Sequence, residues 1–421
     1  MNKIVIWGST AASVSVIEQI RAHDKQCAVT LIAFDGHHPY RRDLFAPLLA
    51  KEIALDKVFM KSREFFEWNN VEVVLDKKIS RINIKRKIIF TEDKEQIDYE
   101  VLVIADTPEN RFPPIKGATK TRVFGYKKLK DIEQITKELP LVNAVTIHSD
   151  RFAGLQAAAA IAGRKKEVLV IASENNFISE HFEEDAAQWL VGRFEEIGVR
   201  IIRGNPLTEI LGDGDAKAVR LKSGKVFATD IVIFVEMDED LRLFSGSELQ
   251  MASQIYVDRS FRSNIKSIFA LDLVGLSQET ALDINLVNEP ALLEAQAKTA
   301  VGAIYGQDVP FHVPVVPQTL KWEGFDLTVI GQTVRGEGVE VRQTFDRETG
   351  KYRALYIKGN RVVGAILVNE DSQARTWKEE IERGESIDIG GASEEREHTA
   401  VEAHNPENNP SEGISTELID H

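Results

Sequence analysis

Two short turns hold the residues whose types and spacing point most directly to chemistry. The first, Gly8-Ser9-Thr10-Ala11-Ala12-Ser13, follows the apolar run Lys3-Ile4-Val5-Ile6-Trp7; the second, Ser149-Asp150-Arg151-Phe152-Ala153-Gly154, follows another apolar run at 144–147. A strand, a turn and a helix in that order seat the pyrophosphate of a dinucleotide when the turn reads G-x-G-x-x-G. The first glycine makes the bend, the second lets backbone approach the phosphates, and the third lets helix and strand pack closely. The first turn keeps Gly8 and places Thr10 and Ser13 at the other glycine positions. Both are small, as are Ala11 and Ala12, so the helix N-terminus still offers N–H groups to an anion. An acid about 20 residues beyond such a turn holds the ribose hydroxyls, and Asp35 meets that spacing. Its other role would be to form the turn before Gly36.

The second turn has lost more. Ser149 and Arg151 replace the first two glycines, Gly154 alone remains, and Asp150 sets a negative charge where a pyrophosphate would approach. Arg151 either grips a phosphate or fills the vacated pocket and pairs with Asp150, and the second outcome is the expected one. Ala172 stands at the strand end where an acid would hold a ribose, and Met237 replaces a small residue in Phe234-Val235-Glu236-Met237.

The elements that must position these turns repeat. After the first turn, Val14, Ile17 and Ile20 fall at helical spacing and a strand covers 28–34; after the second, an Ala-rich helix covers 155–162 and a strand 168–172. Each half continues into three β segments, at 71–75, 82–84 and 87–90 and at 199–202, 207–211 and 218–221, and closes on a short hydrophobic strand, at 101–104 and 231–235. Beyond Gly306 the pattern changes to strands at 327–330, 339–345, 352–357 and 362–368. The last three are joined by the hairpin turns Asp346-Arg347-Glu348-Thr349-Gly350 and Lys358-Gly359-Asn360, and a helix closes the unit at 372–382. The expected fold is α/β: two Rossmann-like dinucleotide-binding domains of the three-layer ββα type, one inserted in the other, plus a small C-terminal α+β domain. The boundaries are 1–117 with 245–306 for the first domain, 118–244 for the inserted one, 307–385 for the C-terminal one and 386–421 for a tail.

Pro39-Tyr40-Arg41-Arg42, Phe65-Phe66 before Asn69-Asn70-Val71, and Tyr352-Arg353-Ala354-Leu355-Tyr356-Ile357 running into Arg361–Leu367 resemble the pyridine nucleotide-disulfide oxidoreductase superfamily. The likeness is to its cysteine-free branch of NAD(P)H:rubredoxin reductases and the flavin portion of nitrite reductase large subunits, and it covers residues 1 to about 385. It implies FAD in the first domain and NAD(P)H in the inserted one. It also implies FAD contacts at Gly8, Thr10, Ala11, Ala12, Ser13, Asp35, Arg42, Asp272 and Gln296, and NAD(P)H contacts at Arg151 and Gly154. Arg42 would lie against the flavin or its phosphates, or form a surface salt bridge. The sequence departs from the family at Ala46-Pro47, where a Ser-Lys pair is usual, at Ala105-Asp106-Thr107 in place of Ala-Thr-Gly, and at Asp272-Leu273, which shifts the late aspartate by one residue. No catalytic residue is assigned. The expected function is FAD-dependent oxidoreduction, with electrons passed to a carrier protein or small acceptor and with NAD(P)H use doubtful. The alternative is a catalytically inactive subunit of a redox complex.

Composition narrows the field further. The single cysteine, Cys27, leaves no intramolecular redox disulfide and reads as a buried core thiol. The net charge of −14 argues against a nucleic-acid partner. No run reaches the roughly 18 apolar residues of a membrane helix, and a cytoplasmic location is expected. Residues 389–421 hold eight acids against Arg396 and read as a disordered acidic tail. His37-His38 and His148 read as bland, and no metal site is expected; Glu183-Glu184-Asp185 reads as the start of a helix. The strands around Arg361–Leu367 are expected to supply a docking surface for a redox partner or a homodimer.

Overall fold

The computed structural model describes residues 3–33, 35–106, 110–173, 177–277 and 289–384. Phe34, Thr107 and the acidic tail lie outside the described residues. The first sheet has five parallel strands in the spatial order Ile268–Ala270, Val101–Ile104, Lys3–Trp7, Ala28–Ala33, Val71–Leu75. The second has the same construction, in the order Val199–Ile202, Glu167–Ile171, Ala144–His148, Ile231–Phe234, Val123–Gly125. Helices cover these sheets, so their inner strands read as unbroken apolar runs; Ile4 through Trp7 and Ile231 through Phe234 are wholly buried. Each parallel sheet is interrupted, before its closing strand, by a three-stranded antiparallel one, at 79–98 and at 207–228. This is the α/β fold of two Rossmann-like domains, with a C-terminal antiparallel sheet.

In a Rossmann-like sheet the ligand lies beyond the carboxyl ends of the strands, where the order reverses. Here the reversal falls beside Lys3–Trp7 and beside Ala144–His148, so the two turns found in the sequence occupy the expected crevices. Cys27 is buried, as expected. No helix among the described residues is long and apolar enough to cross a membrane.

The C-terminal sheet runs in the order Gln318–Trp322, Phe325–Gly331, Arg361–Val368, Lys351–Lys358, Val339–Asp346. One face packs on the inserted domain: Phe194 meets Trp322 at 5.1 Å and Phe182 meets Tyr352 at 5.4 Å between ring centroids, and the Tyr356 hydroxyl donates to the His181 carbonyl at 2.6 Å. The other face carries Ile330, Ala365 and Leu367 against Trp377 and Ile381 of the helix Ala374–Arg383. Strand Arg361–Val368 is therefore central and covered on both faces within the chain, so of the strands expected to supply a docking or dimerisation surface this one does not itself offer a face. A central strand must be apolar throughout, and sequence alone does not distinguish that from a sticky exterior. The helix Glu184–Glu196 begins at this acidic run as expected, with Glu183 at its N-cap position, and Glu183 also pairs with Arg335 at 3.3 Å across the same contact.

Candidate functional site: the two nucleotide turns

Gly8 makes the first bend with φ +143°, and a Cβ there would lie 2.8 Å from the Asp106 nitrogen and 2.9 Å from its Cβ. The glycine is needed for conformation and for space. Ser13 ties the helix back to the bend, its hydroxyl donating to the Gly8 carbonyl at 2.8 Å. Ser9, Thr10, Ala11, Ala12 and Ser13 are at most 3% exposed. They are covered because Pro39-Tyr40 crosses the turn, with the Tyr40 N–H donating to the Ser9 carbonyl at 3.2 Å.

Behind that turn the fold assembles a buried charge cluster from four separate segments. Arg42 pairs with Asp106 and lies 3.7 Å from Asp272; Lys127 meets Asp106 at 3.0 Å. Their side chains are between 1% and 7% exposed. Asp272 is held in the left-handed region at φ +54°, and its N–H donates to the Gln296 side chain at 2.9 Å. Burial alone would raise the Asp106 carboxyl, but Arg42 and then Lys127 outweigh it and hold the group below its ordinary range. Arg42, Asp272 and Gln296, far apart in sequence, thus meet in one cluster. The alternative of a surface salt bridge for Arg42 is corrected, since the pair is buried.

Asp35 goes elsewhere. Its carboxylate accepts the Tyr40 hydroxyl at 2.6 Å and the His37 N–H at 3.3 Å, while the Tyr40 oxygen also accepts the N–H of Leu129, at the start of the helix Leu129–Glu138 in the inserted domain. Burial holds the Tyr40 phenol well above its usual range, so it remains a donor. These bonds favour the turn-forming role for Asp35 over ribose binding. His37 is not without acidic neighbours, lying 4.0 Å from Asp35 and 3.6 Å from Glu133, yet no group of three metal-ligating side chains occurs among the described residues.

The second turn is arranged differently from expectation. Asp150 does not pair with Arg151; it accepts the N–H and the hydroxyl of Ser173 at 2.8 and 2.5 Å. Arg151 instead lies 3.7 Å from Glu236, which also accepts the Ser149 hydroxyl at 2.8 Å and, at 3.4 Å, the Asp150 N–H. Adjacent residues at a sharp turn point apart, so the neighbour in sequence is a poor partner. Gly154 keeps the close-packing role of the third glycine, because a Cβ there would come within 2.3 Å of the Ser149 side chain. Burial raises the Glu236 carboxyl, opposed by Arg151 and the Ser149 hydroxyl. Ala172 directly follows the strand Glu167–Ile171 and is buried.

Sequence reading missed Lys127 and Glu236, and took Asp106 only as a departure. Signals for all three existed. Asp106 and Glu236 each stand two residues beyond the closing strand of their repeat, and Lys127-Lys128 sits at a helix start, where the dipole disfavours cations.

One titration near this site has a clear sign. Burial, followed by the Asp43 charge, pushes Glu289 from 4.5 up to about 7, with Arg41 opposing. Its protonated form is favoured by folding, so this contribution to stability is complete below pH 4.5 and is lost as pH rises through about 7. Glu289→Gln, measured by urea unfolding at about pH 5 and pH 8, is expected to flatten that decline. An unchanged pH slope would count against a raised Glu289.

Paired parallel sheets with turns at their reversal points define the class of two-nucleotide reductase folds. The chain belongs to the pyridine nucleotide-disulphide oxidoreductase family, whose model matches residues 2–275, and residues 317–385 match the rubredoxin NAD+ reductase C-terminal domain. It is 22% identical over 375 residues to the nitrite reductase [NAD(P)H] of Bacillus subtilis, covering 88% of this chain but 46% of that protein. It is 24% identical to the rubredoxin-NAD(+) reductase of Pseudomonas putida, covering 87% of this chain and 95% of that one. Among solved structures, the ferredoxin reductase for the CYP199A2 system from Rhodopseudomonas palustris superposes with a TM-score of 0.78 at 18% identity, over 92% of this chain and 96% of that one. The covalent putidaredoxin reductase–putidaredoxin complex gives 0.77 at 18% identity, covering 92% and 94%. Members of the family bind FAD and NAD(P)H, and both cofactors are consistent with the chain's family and neighbours.

Tested against the geometry, the first turn fits FAD in its bend, its small side chains and its two buried cations. It departs from FAD at Asp106, whose carboxylate already holds those cations. At the second turn Glu236 takes the Asp150 N–H and lies beside the Arg151 guanidinium, groups that a pyrophosphate bound there would have to share with it.

Proposed function

We propose that this chain is an FAD-dependent oxidoreductase that passes electrons to a carrier protein or small acceptor, with weak use of NAD(P)H. The observation that carries the reading is the convergence of Arg42 and Lys127, two buried cations, beside the bend at Gly8. Asp106 and Asp272 balance those cations, and a flavin pyrophosphate set against the helix Ala11–His23 would share them with the two carboxylates. FAD, when bound, supplies the redox chemistry. The chain's part is to hold it, with Gly8 giving backbone access and Gln296 positioning Asp272. A carrier protein as acceptor follows from relatives whose names specify rubredoxin and putidaredoxin. The inactive-subunit alternative finds no support among the relatives, and neither does homodimerisation.

The test is reconstitution of the purified protein with FAD, followed by anaerobic chemical reduction and addition of an oxidised rubredoxin. Flavin absorbance that bleaches, then returns as the carrier is reduced, is expected. Protein that remains colourless after reconstitution would overturn the reading.

A further inference from the structure

The acids Asp106 and Glu236 occupy equivalent places in the two repeats, each two residues beyond the strand that closes its parallel sheet and each reaching back to its own turn. Their surroundings differ in charge. At the first turn Asp106 and Asp272 are matched by Arg42 and Lys127. At the second, Arg151 lies 3.7 Å from Glu236 while Asp150 bonds the neutral Ser173, so two acids stand against one cation among the ion pairs of the described residues.

The contacts of Glu236 are those of a bound anion. It accepts a side-chain hydroxyl at 2.8 Å and a backbone N–H at 3.4 Å from the turn itself, and it holds the guanidinium beside them. We propose that Glu236 is an internal anion seated on the second nucleotide turn, and that displacing it sets the affinity of the inserted domain for a pyridine nucleotide. This deepens the weak NAD(P)H use stated above and names the residue responsible. Ser149 contributes to the seat. The glycine usual at its position has no side chain, whereas its hydroxyl gives Glu236 a donor. Repulsion between a carboxylate and a pyrophosphate, together with competition for the same donors, accounts for the weakness without any change of fold.

The experiment is calorimetric titration of the full-length chain with NADH, and separately with ADP-ribose, which has the pyrophosphate but lacks nicotinamide. Glu236→Gln removes the charge and keeps the size, and it is expected to tighten both ligands by roughly tenfold or more, since tenfold corresponds to about 1.4 kcal/mol. Ser149→Ala, which frees Glu236 from its best donor, is expected to tighten them by a smaller factor, and it serves as the test if the Gln variant does not fold. Micromolar binding of NADH by the unaltered chain, or variants that fold and bind no more tightly than it does, would overturn the proposal. Because ADP-ribose has no hydride to give, its affinity is read independently of flavin content. Colourless protein defeats the functional reading and leaves this result standing.

Discussion

Asp106→Asn is expected to destabilise the chain by about 3–5 kcal/mol, the usual cost of removing one partner from a buried ion pair. The substitution preserves shape and removes the charge that Arg42 and Lys127 share. Both cations are then left buried with Asp272 alone, itself 3.7 Å from Arg42. Thermal or urea unfolding measures the loss. The same variant examines the flavin seat, because FAD added to it would supply the missing anion. Saturating FAD is expected to restore much of the lost stability by mass action, and to do so more strongly than in the unaltered chain. A variant as stable as the original would show that the cluster is not the buried network described. A destabilised variant that FAD does not rescue would separate the cluster from flavin binding.

Gly8→Val is expected to abolish flavin incorporation and to lower stability by about 2–5 kcal/mol, combining positive-φ strain with overpacking. The bend holds φ +143°, which a β-branched residue does not tolerate, and its Cβ would collide with the backbone nitrogen of Asp106 at 2.8 Å. Backbone cannot rotate aside as a side chain would. The measurement is the flavin-to-protein ratio after reconstitution, with circular dichroism to establish that the fold persists. A variant that still takes up FAD stoichiometrically would place the flavin away from this turn.

Much of the architecture is legible because its signals are local. Strands 3–7, 71–75, 101–104, 199–202, 207–211 and 218–221 form where the apolar runs place them; of these, 3–7 and 101–104 are inner parallel strands covered on both faces and read as nearly unbroken apolar runs. Other ends move by one to three residues. The Ala-rich helix begins at Phe152 rather than Leu155, because Phe152, Ala153 and Gly154 at the end of the turn motif already form its first turn after the extended Arg151, and the closing helix spans Ala374–Arg383. The repeat of strand, turn and helix is legible for the same reason, whereas the position of both turns at sheet reversals follows from the strand order.

Partners were not legible in the same way. Sequence marked Gly8, Arg42, Asp272 and Gln296 as members of one site, yet the cation that completes the cluster, Lys127, comes from the start of the inserted domain. Asp35 has the spacing of a ribose acid, but the Tyr40 hydroxyl claims it. Arg151 and Asp150 are adjacent in the chain, and each finds its partner more than twenty residues away, in Glu236 and Ser173.

What the sequence by itself determined is the set of elements, their order and the conformational need for glycine at Gly8. Those follow from the periodicity of burial and from backbone sterics, which act over a few residues. Which charges neutralise one another, which face of the C-terminal sheet is covered and what sits on each turn were decided only by the tertiary structure. A buried charge accepts whichever opposite charge or donor the fold brings within about 4 Å, and chain separation does not enter that energy.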